Sequence, residues 1–217
     1  MSRVLVVLIA VAAVSMTGCP GEDSSAPDAG VDGGSRGLTL RWRGVPEVPT
    51  GQDNPNVQRA TFRVRTLKVI GDSAPGEAAT TRENLSLEWR RDKTPQPVLF
   101  DQAPPGKYAK IDLVLRGDDR DTFEISGVVR RNDIDYIYEI EDSSQLLVSV
   151  PLPSSATLRP GGALSIGVRI DIRDIVKDLD FGAARIEDDK LKIDDDTPAL
   201  QAQVRAKVIS SIRLDTE

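Results

Sequence analysis

The chain has 217 residues, and its 28 Lys and Arg against 34 Asp and Glu give a net charge of −6 at pH 7. It contains no histidine and one cysteine, which excludes a Ser-His-Asp triad, a histidine-based zinc site and an internal disulfide. The net acidic charge also argues against nucleic-acid binding, which needs a concentrated basic surface. With 39% apolar and 4% aromatic residues, the core must consist mainly of Val, Ile and Leu.

The N-terminal segment has the layout of a secretory signal. Arg3 precedes an unbroken apolar run at residues 4–14, and small residues then lead to Cys19. The run is too short to span a bilayer as a helix. The sequence Met-Thr-Gly-Cys at residues 16–19 resembles the lipobox of bacterial lipoproteins, in which the signal is cleaved before the cysteine and the cysteine carries the lipid.

This resemblance implies a signal peptide at residues 1–18 and a fatty-acid anchor, such as palmitate, on Cys19. Pro20 stands where an inner-membrane retention signal commonly has aspartate. We therefore expect an outer-membrane lipoprotein of the bacterial envelope, with its domain in the periplasm or at the cell surface. The alternative is an ordinary secretory signal with an incidental cysteine. Residues 19–37, rich in Gly, Ser, Asp and Pro, predict a lipidated cysteine followed by a disordered tether.

From residue 38 onward, apolar and polar residues alternate in eight runs, which is typical of half-buried antiparallel strands. The runs cover residues 38–43, 60–69, 85–90, 109–115, 123–129, 134–140, 146–150 and 164–173. In the second run the apolar phase changes between Val64 and Leu67, which indicates a β-bulge. We predict a mainly β fold, an antiparallel β-sandwich of about eight strands in a single domain at residues 38–217.

The C-terminal region changes to a helical period. Thr197 is a candidate N-cap, and Pro198 suits the first helical position. An apolar residue then recurs at every fourth position: Leu200, Val204, Val208 and Ile212. This pattern predicts an α-helix at residues 198–213 that packs on the sandwich, although a partner-binding helix is the alternative. A shorter helix is predicted at residues 173–179.

One further stretch carries a family resemblance. The sequence Pro-Gly-Lys-Tyr at residues 105–108 leads into the run at 109–115 and resembles the entry to a strand in transthyretin-like and prealbumin-like sandwich domains. Together with the lipobox, residues 103–115 resemble a family of bacterial lipoproteins whose common domain has no assigned function. The resemblance implies a β-sandwich lipoprotein and implies no activity.

No motif in the chain indicates a reaction. Neither the P-loop pattern nor the Gly-x-Gly-x-x-Gly dinucleotide pattern occurs, and lipidation of Cys19 would leave no thiol nucleophile. We therefore expect a binding or structural module that is not an enzyme and needs no cofactor. The alternatives are a carboxylate-dependent hydrolase of envelope glycan and a subunit of an envelope complex.

Acidic residues cluster in three short stretches, at residues 118–121, 187–189 and 194–196. Oxygen-rich loops of this kind can hold calcium. However, none of the three has the regularly spaced aspartates and distal glutamate of a calcium-binding loop. We predict solvated loop charge and no metal site.

Arginines recur at positions that alternate with core residues and therefore point outward: Arg41, Arg43, Arg63, Arg65 and Arg90. If the first two strands pair, at least four of these side chains share one sheet face. Such an array can grip an anionic envelope polymer or an acidic envelope protein. The alternative is ordinary cross-strand pairing with acids such as Glu88 and Asp112.

Overall fold

The structure, a computed structural model, describes residues 36–46 and 54–216. The predicted signal peptide, Cys19 and nearly all of the tether lie outside the described residues. Within them the chain is mainly β, with twelve strands in two sheets and two α-helices. The predicted fold class, a β-sandwich with a packed C-terminal helix, is confirmed.

Eight strands correspond to the predicted runs. They are β1 (Gly37–Val45), β2 (Asn56–Gly71), β3 (Thr81–Arg90), β5 (Gly106–Leu115), β6 (Phe123–Arg131), β7 (Ile134–Asp142), β8 (Leu146–Leu158) and β9 (Ala163–Asp171). Four shorter strands have no counterpart in the predicted runs: β4 (Val98–Phe100), β10 (Arg185–Glu187), β11 (Lys190–Ile193) and β12 (Ile212–Thr216). The helices are α1 (Ile172–Val176) and α2 (Pro198–Ser211).

The long strand β2 organises the larger sheet. This sheet has the order β10-β11-β7-β6-β2-β5-β8, and β3 pairs with the other edge of β2. Along the shared edge, the N-terminal half of β2 pairs with β6 and the C-terminal half with β5. The register against β5 shifts between Val64 and Thr66, so the predicted irregularity in this strand is confirmed.

The smaller sheet has the order β12-β9-β1-β4. Here β1 runs parallel to β9, and in the larger sheet β11 runs parallel to β7, so the sandwich is not antiparallel throughout. Parallel neighbours need a long crossover connection, and several strands of the larger sheet separate β1 from β9 along the chain. The alternation of single strands does not reveal which strands pair, so the sequence left this arrangement open.

One hydrophobic core joins the two sheets and both helices, and most of its side chains are Val, Ile and Leu. The predicted apolar stripe of α2 is buried through Leu200, Val204 and Val208. The helix ends at Ser211 rather than at residue 213, because Ile212 begins a strand that pairs with β9. No helix within residues 36–46 and 54–216 is long and apolar enough to cross a bilayer.

Candidate functional site

The structure divides the predicted arginines between two places. Arg41 and Arg43 lie on β1 in the smaller sheet, whereas Arg63 and Arg65 lie on β2 in the larger one. The premise that these two strands pair is wrong, so no single sheet face carries all four side chains. The cause is that β4 and β9 flank β1, while β3, β5 and β6 occupy the edges of β2.

A cavity of about 390 Å³, which we call the arginine groove, lies on the outer face of β2 and β3. Its walls include Arg59, Thr61, Arg63 and Arg65 of β2, Ser86 and Glu88 of β3, and Arg116, Asp118 and Arg120 of the loop between β5 and β6. The β2 residues occupy alternate positions and therefore face the same side. Five arginines and two acids make this groove cationic on a chain of net negative charge.

The loop between β5 and β6 is fastened to the centre of β2. The backbone N–H of Arg116 donates to the Arg63 carbonyl at 2.9 Å, and the Arg63 N–H donates to the Thr122 carbonyl at 2.9 Å. Gly117 is required at the turn, because a Cβ atom there would lie 2.0 Å from the Arg120 carbonyl oxygen. These contacts hold Arg116 and Arg120 against the groove.

Three of the groove arginines have acidic partners. Arg63 contacts Glu124 of β6 at 2.6 Å, Arg65 contacts Asp118 at 2.6 Å, and Arg59 contacts Glu88 at 3.2 Å. The predicted alternative of pairing with neighbouring acids therefore describes Arg63 and Arg65 in this structure, although their partners differ from those named. Asp112 instead contacts Lys110 at 3.0 Å.

Two groove arginines and one hydroxyl have no side-chain partner among residues 36–46 and 54–216. Among the described residues, the side chains of Arg116 and Arg120 make no ion pair or hydrogen bond, and both are exposed. Thr61 is 3% exposed, and its Oγ1 has no hydrogen-bond partner. A buried hydroxyl without a partner costs about 1–3 kcal/mol, so the groove contains both unused positive charge and an unsatisfied polar group.

The structure brings Arg43 and Arg90 together in a second cavity of about 460 Å³, which we call the tryptophan cleft. It lies where β1 of one sheet approaches the end of β3 in the other. Its walls are Trp42, Arg43 and Gly44 of β1, Trp89 and Arg90 of β3, and Arg91, Asp92, Lys93 and Thr94 of the following turn. The turn is closed by two backbone hydrogen bonds between Arg90 and Lys93, at 3.0 and 3.1 Å.

The two tryptophans of this cleft are buried, and their indole nitrogens have no hydrogen-bond partner in the part of the chain that the structure describes. Gly44 allows this packing, because a Cβ atom there would lie 2.7 Å from the Trp89 Nε1 atom. Four cationic residues and one acid line the cleft, and Arg90 contacts Asp92 at 2.9 Å. Arg91 is exposed and makes no side-chain ion pair or hydrogen bond with any described residue.

A third cavity, of about 210 Å³, has the opposite charge, and we call it the acidic cavity. It is lined by Asp121, Glu141, Ser143, Asp194, Asp195 and Asp196. Burial raises the pKa of the Asp121 carboxyl, and the Glu124 carboxylate raises it further. Burial likewise raises the pKa of Glu141, with Asp121 as the next cause.

The acidic stretches of the sequence have several local roles. Asp188 and Asp189 form the turn between β10 and β11 with positive φ angles of 49° and 60°. Arg185 contacts Asp194 at 2.6 Å and Asp196 at 3.5 Å. Within the described residues, no group of three or more acids is arranged to hold a metal ion.

Comparison of the chain with protein-family models, curated proteins and solved structures finds no match. The resemblance to prealbumin-like lipoproteins therefore stays a prediction. Several residues of the groove and the cleft were not among the predicted site residues: Arg59, Thr61, Arg116, Arg120, Trp42 and Trp89. Arg59 and Thr61 were detectable, because they extend the same alternation as Arg63 and Arg65.

Proposed function

We propose that this chain is a lipid-anchored lipoprotein of the bacterial envelope whose β-sandwich is a non-catalytic binding module. The anchor is Cys19, in the outer membrane, and the domain is held in the periplasm or at the cell surface. The ligand is an oxyanion bound in the arginine groove. The lipobox-like residues 16–19 support the anchor, and the groove geometry supports the ligand class.

The observation that supports an oxyanion ligand is which charged side chains of the groove are already in ion pairs. The acids of the groove are already in contact with Arg59 and Arg65, whereas Arg116 and Arg120 have no anionic partner in the described structure. Guanidinium groups bind phosphate, sulfate and carboxylate through charge-assisted hydrogen bonds.

The test uses the purified full chain and pyrophosphate as the probe, with calorimetry at low ionic strength. We expect saturable binding that weakens as salt is added. Changing Arg116→Ser and Arg120→Ser together should weaken binding about tenfold or more, because both unpaired guanidinium groups are lost. The matched control removes two exposed arginines outside the groove, Arg36→Ser with Arg159→Ser, and should bind like the wild type. No saturable heat, or equal affinity in both double variants, contradicts the proposal.

The anchor has a separate test. Stable membrane attachment needs more than one acyl chain, which lipobox processing supplies. Cys19→Ala should block lipidation and processing at this site and so abolish incorporation of labelled palmitate. Equal labelling of the variant and the wild type would contradict the lipoprotein assignment without affecting the groove.

A glycan hydrolase is the second candidate, and the acidic cavity favours it. Asp121 and Glu141 have raised pKa values there, as a general acid requires. None of the six lining residues is aromatic, so the cavity offers no stacking surface for a sugar ring. Release of reducing sugar from peptidoglycan that is lost in Asp121→Asn and in Glu141→Gln would establish the hydrolase in place of the binding module.

A further inference from the structure

We infer that the arginine groove and the tryptophan cleft are two ends of one binding track, and that the ligand is a flexible linear polymer bearing phosphate or sulfate groups. This inference rests on the proposed oxyanion-binding function and specifies its ligand. A small anion would fill one cavity, whereas a polymer with repeated negative charges would occupy both.

Glu88 connects the two cavities. Its carboxylate contacts Arg59 of the groove at 3.2 Å through one oxygen, and the other oxygen accepts a hydrogen bond from Lys93 of the cleft. Arg59 of the groove lies directly opposite Arg90 of the cleft in the β2–β3 register, so the two cavities are neighbours at this end of β3. The Lys93 hydrogen bond lowers the pKa of the Glu88 carboxyl, which is the expected effect of a cationic partner.

The spacing of positive charge along this track is repetitive. Arg59, Arg63 and Arg65 lie on one face of β2, and the distance from residue 59 to residue 65 is about 20 Å at roughly 3.4 Å per residue. The cleft adds four cationic residues at the Arg59 end. A polymer lying along this line meets successive guanidinium groups, as a compact anion cannot.

Both ends of the track contain exposed arginines that have no side-chain partner among the described residues. These are Arg116 and Arg120 in the groove and Arg91 in the cleft. A phosphate or sulfate group of the ligand at either end would supply a missing anionic partner. Engaging the second end becomes an intramolecular event once the first is bound, so affinity should rise with polymer length until both cavities are occupied.

The test compares pyrophosphate with long-chain polyphosphate and with dextran sulfate, using the full chain. Trp42 and Trp89 are the only two tryptophans of the sequence, and both line the cleft, so their fluorescence reports on that end alone. We expect both polymers to bind more tightly per molecule than pyrophosphate and to change the tryptophan emission. Pyrophosphate bound in the groove should leave the emission nearly unchanged.

Arg91→Ser separates the inference from the proposed function. It removes an exposed, unpaired charge of the cleft, so polymer affinity should fall about fivefold while pyrophosphate affinity stays at the wild-type value. The groove variant, Arg116→Ser with Arg120→Ser, should weaken both ligands, and Arg159→Ser should weaken neither. All four side chains are exposed, and equal melting temperatures would confirm that each variant is folded.

The outcomes distinguish two failures. In the first, pyrophosphate binds in the groove, but the polymers bind no more tightly, leave the tryptophan emission unchanged and have the same affinity for Arg91→Ser as for the wild type. That result would show that the track is wrong, and the oxyanion function of the groove would be unaffected. If none of the three ligands binds, the oxyanion function is wrong and the track falls with it. Tighter binding of a thymidine oligonucleotide than of polyphosphate with equal charge would show that repeated anionic charge does not select the ligand, which would overturn the inference.

Discussion

The loop between β5 and β6 separates two regions of opposite charge. Arg116 and Arg120 line the arginine groove, whereas the next residue of the chain, Asp121, lines the acidic cavity. The backbone of this loop is fixed by Arg63, whose guanidinium also donates to the Asp121 carbonyl oxygen. A few residues thus expose unpaired positive charge on one side and crowded negative charge on the other.

The carboxyl groups of the two regions differ in the direction of their pKa shifts. Glu88 in the groove has a side chain only 13% exposed, yet its pKa is lowered because Lys93 donates a hydrogen bond to it. Asp121 and Glu141 are also partly buried, but their pKa values are raised, with burial as the leading cause. The presence of a cationic partner, more than burial itself, decides which carboxyl groups favour the charged form.

An ion pair between α2 and β7 lies next to the acidic cavity, and its removal is expected to have the largest effect on stability. Asp142 follows Glu141 on β7, is fully buried as a side chain, and accepts a hydrogen bond from Arg205 of the helix. Arg205→Ala leaves this carboxylate buried without its ion-pair partner, so the free energy of unfolding should fall by about 3 kcal/mol. Urea unfolding measures the loss.

Gln203→Ala is the matched control, because Gln203 is exposed on the same helix. It should change the unfolding free energy by less than about 0.5 kcal/mol. Pyrophosphate affinity of the folded Arg205→Ala protein should equal that of the wild type, since the groove does not include α2. A loss of binding would show that the two regions are coupled through the loop.

Replacing each of two buried threonines by valine should change the stability of the protein in opposite directions. Thr61 lines the groove and has no partner for its hydroxyl, whereas the Thr122 hydroxyl accepts a hydrogen bond from the Gly117 N–H at 3.4 Å. Thr61→Val removes an unsatisfied group and should stabilise the protein by about 1 kcal/mol. Thr122→Val removes an acceptor from the loop and should destabilise it by a similar amount.

Thermal unfolding of both variants checks this pair. Destabilisation by Thr61→Val would mean that its hydroxyl is already satisfied.

The fold was predictable from local patterns, because each long strand carries its own alternation and α2 its own fourfold repeat. The short strands β4 and β10 contain three residues each, too few for alternation to be detected. β12 was hidden because Ile212 satisfies both the helical stripe and the strand that pairs with β9. Short and ambiguous segments are decided by their tertiary neighbours.

The candidate site was predictable only in part, because it depends on which strands pair. Alternation shows that Arg43 and Arg63 point outward, but it does not show that their strands belong to different sheets. The tryptophan cleft required both sheets to be placed, since Trp42 and Trp89 come from different ones. Arg116 and Arg120 lie in a loop, where no periodic pattern applies.

The smallest expected effect concerns the pH dependence of the acidic cavity. A carboxyl group whose pKa is raised by folding stabilises the native state below its unfolded pKa, and this contribution is lost as pH rises through the folded value. Asp121 and Glu141 both have raised pKa values, so the stability that these two groups contribute should be lost between about pH 4 and pH 7. Glu141→Gln and Asp121→Asn should remove part of that loss and gain stability at pH 7, each by less than about 1 kcal/mol because both groups are partly solvated.

Asp119→Asn, in the same loop and exposed, should leave the pH profile unchanged. Urea unfolding at pH 4 and pH 7 gives the comparison. If Glu141→Gln is less stable than the wild type at pH 7, the Glu141 carboxylate has a favourable partner, and the contrast between the acidic cavity and the groove would not hold.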